Sequence, residues 1–149
     1  FIDSDLYKVM EGAAYLAQLQ DDPELEAQFD RIVEVIAAAQ EPDGYLYPSH
    51  TTKVGSDKNM MGNKPYTFVV HSHELYNMGH LYEAAIAYYQ ATGKDKLLKV
   101  AEKNALHVNR VFFEGDPNYN NGKPIQQAPG HQEMELALVR LSNVTGKKL

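Results

Sequence analysis

The chain has 149 residues, with 14 basic and 20 acidic side chains, a formal net charge of -6 and no cysteine. That length suits one domain burying roughly 68–70% of its unfolded surface, and the missing cysteines exclude disulfides, thiolate nucleophiles and cysteine-ligated zinc within the chain. The absence of a Lys/Arg cluster argues against nucleic acid as a partner, and no apolar run reaches the roughly 18 residues of a membrane span, so no membrane partner is expected. The composition leaves the compartment open between cytoplasmic and periplasmic or secreted.

In chain order, Ser4 or Asp5 can cap a first helix whose Leu6, Val9, Met10, Ala13, Leu16 and Ala17 recur at helical spacing. Asp21-Asp22-Pro23-Glu24 breaks the chain and starts a second helix, with Pro near its first position. Leu25, Phe29, Ile32, Val33, Ile36 and Ala37 form its stripe, and Pro42-Asp43-Gly44 ends it. Residues 43–68 carry no sustained period, and so long a connection inside a domain is functional or mobile as a rule. A third helix is predicted from about Ser72 to Ala91, ending at Thr92-Gly93. A fourth is predicted from about Asp95 to Val111, with Leu97, Leu98, Ala101, Ala105, Leu106 and Val108 as its apolar residues. A polar loop spans roughly Glu114 to Pro129, and a fifth helix runs from about His131 to Val144, stopped by Thr145-Gly146.

The endings Tyr89-Gln90-Ala91-Thr92-Gly93-Lys94 and Ser142-Asn143-Val144-Thr145-Gly146-Lys147 recur 53 residues apart. One such ending per helix pair implies stacked αα-hairpins, in either an open solenoid or a closed toroid. No strand pattern competes, so the expected class is all-α. The chain opens in mid-pattern at Phe1 and closes at Leu149 where a further helix would begin, so the expectation is one partial domain over 1–149.

The most informative passage is Ser72-His73-Glu74-Leu75-Tyr76-Asn77-Met78-Gly79-His80. His73 and His80, seven residues apart, project from one face of a helix that is otherwise apolar nearly all round. Imidazoles on such a helix must be hydrogen-bonded or face a cavity. His131 stands 51 residues after His80, behind Pro129-Gly130, at the expected mouth of the fifth helix. There the positive end of the helix dipole favours a neutral ring able to hydrogen-bond a hydroxyl. The bland alternatives are a surface cap residue for His131 and a buried histidine bonded to backbone for His80.

Other residues carry weaker signals. Glu74, Glu133 and Glu135 fall in first helical turns, where the dipole favours carboxylates by about 0.3–1 kcal/mol and accounts for them without catalysis. Asp43-Gly44 is above all a turn former, with sugar stacking by Tyr45 or Tyr47 as the alternative. His71-x-His73 and His50 invite a metal reading, but no third ligand has a convincing spacing, so no metal is assigned. His107 is expected to be solvent-exposed, and Tyr82, Tyr88 and Tyr89 to pack in the core with hydroxyls at its rim.

Four passages together carry a family resemblance: Asp3-Ser4-Asp5-Leu6-Tyr7-Lys8, Ala39-Gln40-Glu41-Pro42-Asp43-Gly44-Tyr45-Leu46, Ser72-His73-Glu74-Leu75-Tyr76-Asn77-Met78-Gly79-His80-Leu81, and Gly130-His131-Gln132-Glu133-Met134-Glu135-Leu136-Ala137-Leu138. In this order they resemble glycoside hydrolase family 127, the β-L-arabinofuranosidase family. The resemblance implies an (α/α)6 barrel, of which this chain would form the N-terminal half. It also implies retaining hydrolysis of terminal β-L-arabinofuranosides or related plant-glycan sugars, through a zinc-held cysteine nucleophile and a glutamate acid/base. Those groups would lie downstream, outside this chain, leaving His73, His80 and His131 as its expected sugar-binding residues and the chain alone inactive. The implied partner is a carbohydrate, with self-association through exposed helix faces also expected. Two other readings stay open: a tetratricopeptide-like binding scaffold, suggested by Tyr82-Glu83-Ala84-Ala85-Ile86-Ala87-Tyr88-Tyr89, and a toroid lyase or unsaturated-uronyl hydrolase. The first is disfavoured by the 53-residue spacing, against about 34 in that repeat.

Overall fold

A computed structural model describes residues 2–52 and 61–147. Its main helices are α1 (Ile2–Ala17), α2 (Pro23–Ala39), α5 (Glu74–Thr92), α6 (Lys96–Asn109) and α7 (Met134–Thr145), with short helices α3 (Pro48–Thr52) and α4 (Val69–Ser72) in the first long loop. Among the described residues there is no strand, and the chain is all-α. Residues 53–60 of the predicted 43–68 loop lie outside the described residues, as do Phe1, Lys148 and Leu149.

Local chemistry sets the helix ends. The Asp22 side chain accepts the Leu25 N–H at 2.9 Å and Pro23 occupies the first turn of α2, so the acidic break is a working N-cap. The repeated Thr-Gly-Lys endings fold alike. Gly93 (φ 73°) donates to the Tyr89 carbonyl and Gly146 (φ 69°) to the Ser142 carbonyl, both in the left-handed conformation that glycine adopts without a Cβ penalty. In each, the threonine hydroxyl bonds back four residues, Thr92 to Tyr88 and Thr145 to Leu141, at 2.8 Å.

The pairings across helices reveal two layers. Lys8 on α1 meets Tyr76 on α5, while Arg140 on α7 reaches both Glu83 on α5 and Glu11 on α1. The order is the same along all three helices, so α1, α5 and α7 run parallel side by side. In the other layer Lys94 bonds Asp30, Lys96 bonds Glu34, Gln40 bonds the Val100 carbonyl and Lys103 bonds the Glu41 carbonyl, which sets α2 parallel to α6. The αα-hairpins thus form a ring segment with α1, α5 and α7 on one side and α2 and α6 on the other.

α5 is the pivot, and its composition explains why. Leu75, Met78, Leu81, Tyr82 and every residue from Ala84 to Tyr88 are buried, as expected for a helix clad on all sides. Gly79 permits the closest approach, since a Cβ there would lie 2.5 Å from Glu133 Cγ and 3.0 Å from Met134 N. The start of α7 is thereby drawn against the histidine-bearing turn of α5. Tyr82 and Tyr88 are core residues, but Tyr82 hydrogen-bonds Asn104 at 2.7 Å in the interior rather than at a rim.

Several boundaries and one burial differ from the sequence expectation. α5 begins at Glu74 rather than Ser72, because His73 takes a left-handed conformation that separates it from α4. α7 begins at Met134, so His131 precedes the helix instead of opening it. α6 ends at Asn109 and continues as a π-turn, Arg110–Glu114. His107, expected to be exposed, is fully buried. The Pro42-Asp43-Gly44 turn folds back over α6 and covers it: Asn104 donates to the Gly44 carbonyl at 2.8 Å, and Asp43 Oδ2 lies 3.7 Å from His107 Nδ1. The sequence reading sets His107 outside, beside Lys103 and Asn104; the returning turn and the rings of Tyr45, Tyr66 and Tyr119 cover that face.

Candidate functional site

The long loops precede α4 and α7, at the end of the molecule where α5 and α7 begin. They meet where Gly130 passes over α4: a Cβ on Gly130 would strike the Val70 carbonyl, so only glycine allows the two segments to touch. His131 is the next residue, and this crossing carries it to His73.

His73 is aimed by a buried carboxylate beside it. Glu74 is 2% exposed and accepts from Tyr45 Oη (2.6 Å), Ser72 Oγ (2.6 Å) and the Tyr66 N–H (3.0 Å). Tyr47 donates to the Ser72 carbonyl. The residues flanking His73 are thus locked from both sides, which holds its φ at 58°. Tyr45 and Tyr47, buried to 4% exposure each, are spent on this network; the sugar-stacking alternative for them is ruled out by burial, and the turn reading holds. Burial pushes the Glu74 carboxyl pKa up, against the opposing pull of its hydrogen bonds. First-turn placement at the helix dipole therefore explains little of Glu74, which ties both ends of the first long loop to α4.

The three expected histidines converge. The His73 and His131 rings lie 4.8 Å apart between centroids, and the Tyr76 ring sits 5.3 Å from His131 and 4.6 Å from His80. Tyr76 accepts a hydrogen bond from Lys8 at 2.8 Å, and His80 Nδ1 lies 3.3 Å from Glu133 Oε1. Tyr76, Lys8 and Glu133 were missed as site members. Tyr76 was findable: it stands three residues after His73 and four before His80, hence on their shared face. Lys8 and Glu133 come from other elements and carry no such local signal.

Two of the imidazoles, His73 and His80, are tuned toward neutrality. Burial lowers the His73 pKa, with the neighbouring His131 and His71 adding to the effect. Burial, helped by Lys8, lowers that of His80 to about 4. Glu133 shifts upward, chiefly by burial and with Glu11 adding, and it is the neutral His80 ring that keeps their 3.3 Å contact from being an ion pair. The His80 ring is accordingly expected to stay uncharged in NMR pH titrations until about pH 4. A base with a depressed folded pKa stabilises the fold above its unfolded value, near 6.5, and that contribution is lost as pH falls toward 4. A His80 titration midpoint near 6.5 in the folded protein would contradict this environment. His71 is exposed and His50 packs edge-on against Tyr45 at 6.2 Å. Among the described residues, no group of three or more His, Asp or Glu side chains is placed to hold a metal ion.

The fold has close counterparts. The sequence profile described as Beta-L-arabinofuranosidase, GH127 catalytic domain, matches residues 1–149. The chain belongs to the GH127 family. The GH127 chain is 44% identical over 149 residues to the non-reducing end beta-L-arabinofuranosidase of Bifidobacterium longum subsp. longum, covering 99% of this chain and 21% of that protein. It superposes on a solved GH127 beta-arabinofuranosidase with a TM-score of 0.85 at 41% identity, covering 97% of this chain and 22% of the other. A GH127 beta-L-arabinofuranosidase from Geobacillus stearothermophilus T6 gives 0.80 at 42% identity, with coverage of 97% and 21%. This GH127 chain therefore spans about a fifth of the length of these relatives. The match, with the parallel layers described above, makes the fold part of a helical barrel and sets aside the tetratricopeptide-like scaffold.

Proposed function

We propose that this chain forms the N-terminal part of the (α/α)6 catalytic barrel of a glycoside hydrolase that cleaves terminal β-L-arabinofuranosides, or related plant-glycan sugars, with retention of configuration. His73, His80 and His131 line the subsite for the terminal sugar, His73 and His131 at its surface and His80 at its base. The observation that carries this reading is the 4.8 Å approach of His73 to His131 beside Tyr76, at the end where α5 and α7 begin.

The chemistry of the rings supports it. A neutral imidazole donates from one nitrogen and accepts at the other, matching hydroxyls that do both. Depressed pKa values keep His73 and His80 in that form. The Tyr76 ring adds an apolar surface of the kind that packs against sugar C–H groups. Exposed apolar side chains at Val9 and Leu16 on α1, and at Leu136 and Val139 on α7, are consistent with further helices closing a ring on both flanks.

The reaction itself requires groups from elsewhere. The family resemblance implies a cysteine nucleophile, a glutamate acid/base and a zinc ion, yet this chain contains no cysteine. Nor do its described residues fit a zinc site. All three are assigned to residues outside the chain, and the chain contributes binding and orientation only.

The test is hydrolysis of an aryl β-L-arabinofuranoside by the intact protein, with the anomer first released identified by NMR. Release of β-L-arabinofuranose supports the proposal. Initial release of the α-anomer, or activity confined to unsaturated uronides, would overturn it in favour of a different toroid chemistry.

A further inference from the structure

Outside the histidine cluster, an unexplained feature is a cavity of about 590 Å³ between the two long loops, walled by Lys64, Tyr66, Tyr119, Asn121, Gln126 and Gln127 among others. Its size falls within the range of small-molecule sites. It shares the walls Pro65 and Tyr119 with a neighbouring hollow of about 470 Å³.

We propose that this cavity is a distal subsite that binds a neutral sugar unit of an oligosaccharide whose terminal residue sits at the histidines. The inference rests on the hydrolase reading above and extends it to the rest of the substrate.

The wall chemistry selects the ligand. The side-chain amides of Asn121, Gln126 and Gln127 bond no other described residue, and each offers both a donor and an acceptor to the cavity. Such groups complement hydroxyls. Among the described residues, Lys64 is the only charged one lining the cavity, too little for a phosphate or a polyanion. A wall this rich in amides offers little to a wholly apolar ligand.

The aromatic element is rigid. Tyr119 donates to Asp43 Oδ2 at 2.6 Å, and its ring packs 5.1 Å from His107 and 5.9 Å from Tyr66. A ring held by its hydroxyl and its neighbours loses little freedom when a sugar stacks on it. Arg110, which donates to the Asp43 carbonyl at 2.6 Å, and the buried His107 packed beside Asp43 support the turn on which Tyr119 is anchored.

Placement links the cavity to the site. The same two segments that wall it continue into His73 and His131, and they cross at Val70 and Gly130. Gln127 and His131 are four residues apart, at most about 14 Å of extended chain. Tyr66 belongs to both, its N–H on Glu74 beside His73 and the residue itself in the cavity wall. The cavity thus opens on the same two loops that carry His73 and His131.

The test uses the intact protein and the double variant Gln126→Ala/Gln127→Ala, which removes exposed side chains without described partners. The kcat/KM for a neutral L-arabinofuranose trisaccharide, divided by that for an aryl β-L-arabinofuranoside, is expected to fall about tenfold, the loss of one or two neutral hydrogen bonds. An unchanged ratio overturns the subsite. Calorimetric titration of the trisaccharide into His73→Ala and into His73→Ala/Gln126→Ala/Gln127→Ala separates the two readings. Weaker binding in the second variant supports the subsite even if the protein hydrolyses no arabinofuranoside. Equal binding in both, with hydrolysis intact, removes the subsite and leaves the hydrolase.

Discussion

Replacing His131 with alanine in the intact protein is expected to lower kcat/KM for an aryl β-L-arabinofuranoside by about 100-fold while leaving the melting temperature nearly unchanged. His131 is solvent-exposed and belongs to no helix, so its removal opens no core cavity. Losing a hydrogen bond that strengthens toward the transition state costs about 2.7 kcal/mol for two decades of rate. His73→Ala should act similarly, since its ring faces His131 at 4.8 Å. His80→Ala should lower turnover too, but with a measurable stability loss, because its side chain is only 12% exposed and packs on Tyr76 and Glu133. Steady-state kinetics beside thermal melts make the distinction. Wild-type kcat/KM in both His131→Ala and His80→Ala would dismantle the sugar-subsite assignment.

The largest expected effect on stability lies next door, at Glu74. Glu74→Ala would strand the Tyr45 and Ser72 hydroxyls and the Tyr66 N–H in the interior, all of which now end on one carboxylate. Each stranded donor costs about 1–3 kcal/mol, and the sum is expected near 3–5 kcal/mol after relaxation. For a domain of this size that is a drop of roughly 10 °C or more. Glu74→Gln keeps the shape but turns an amide N–H₂ toward donors, so it should recover only part of the loss. Because burial raises the Glu74 pKa, the folded state holds its proton to higher pH than the unfolded chain does. Its contribution to stability is therefore fullest below about pH 4.5 and declines as pH rises through the folded-state pKa. Urea melts of wild type and Glu74→Ala across pH 4 to 7 would show the gap between the two curves narrowing as pH rises. A gap that is constant or widening would contradict a raised pKa at this site.

Much of the architecture was legible because it is written in local patterns. The 3–4 spacing of Leu6, Val9, Met10 and Ala13, the Asp22-Pro23 cap and the two Thr-Gly-Lys stops each depend on residues within a few positions of one another. The burial of α5 was visible from its apolar circumference. The histidines were found by the same means, since the separation of His73 and His80 defines a helix face regardless of what packs on it.

Two of the differences involve partners beyond the reach of a helical turn. His107 reads as exposed beside Lys103 and Asn104, and the turn that covers it, Asp43 and Gly44, lies more than 60 residues earlier. Glu74 reads as a first-turn carboxylate, yet its donors come from Tyr45, Tyr66 and Ser72. The one-residue break that separates α4 from α5 at His73 follows from that network and not from any helix-breaking residue.

The amino-acid sequence by itself determined which segments become helices, where they stop and which imidazoles share a face, because hydrogen bonds and side-chain contacts along one helix span at most about four residues. Only the tertiary structure decided that His131 meets His73, that Tyr76 and Lys8 join them, and that the amides of the second loop wall a cavity. Those outcomes depend on two backbone crossings, Gly79 against Glu133 and Gly130 against Val70, where the absence of a Cβ lets distant segments touch. A missing atom leaves no periodic trace in a sequence, but it sets how closely the segments of the site approach.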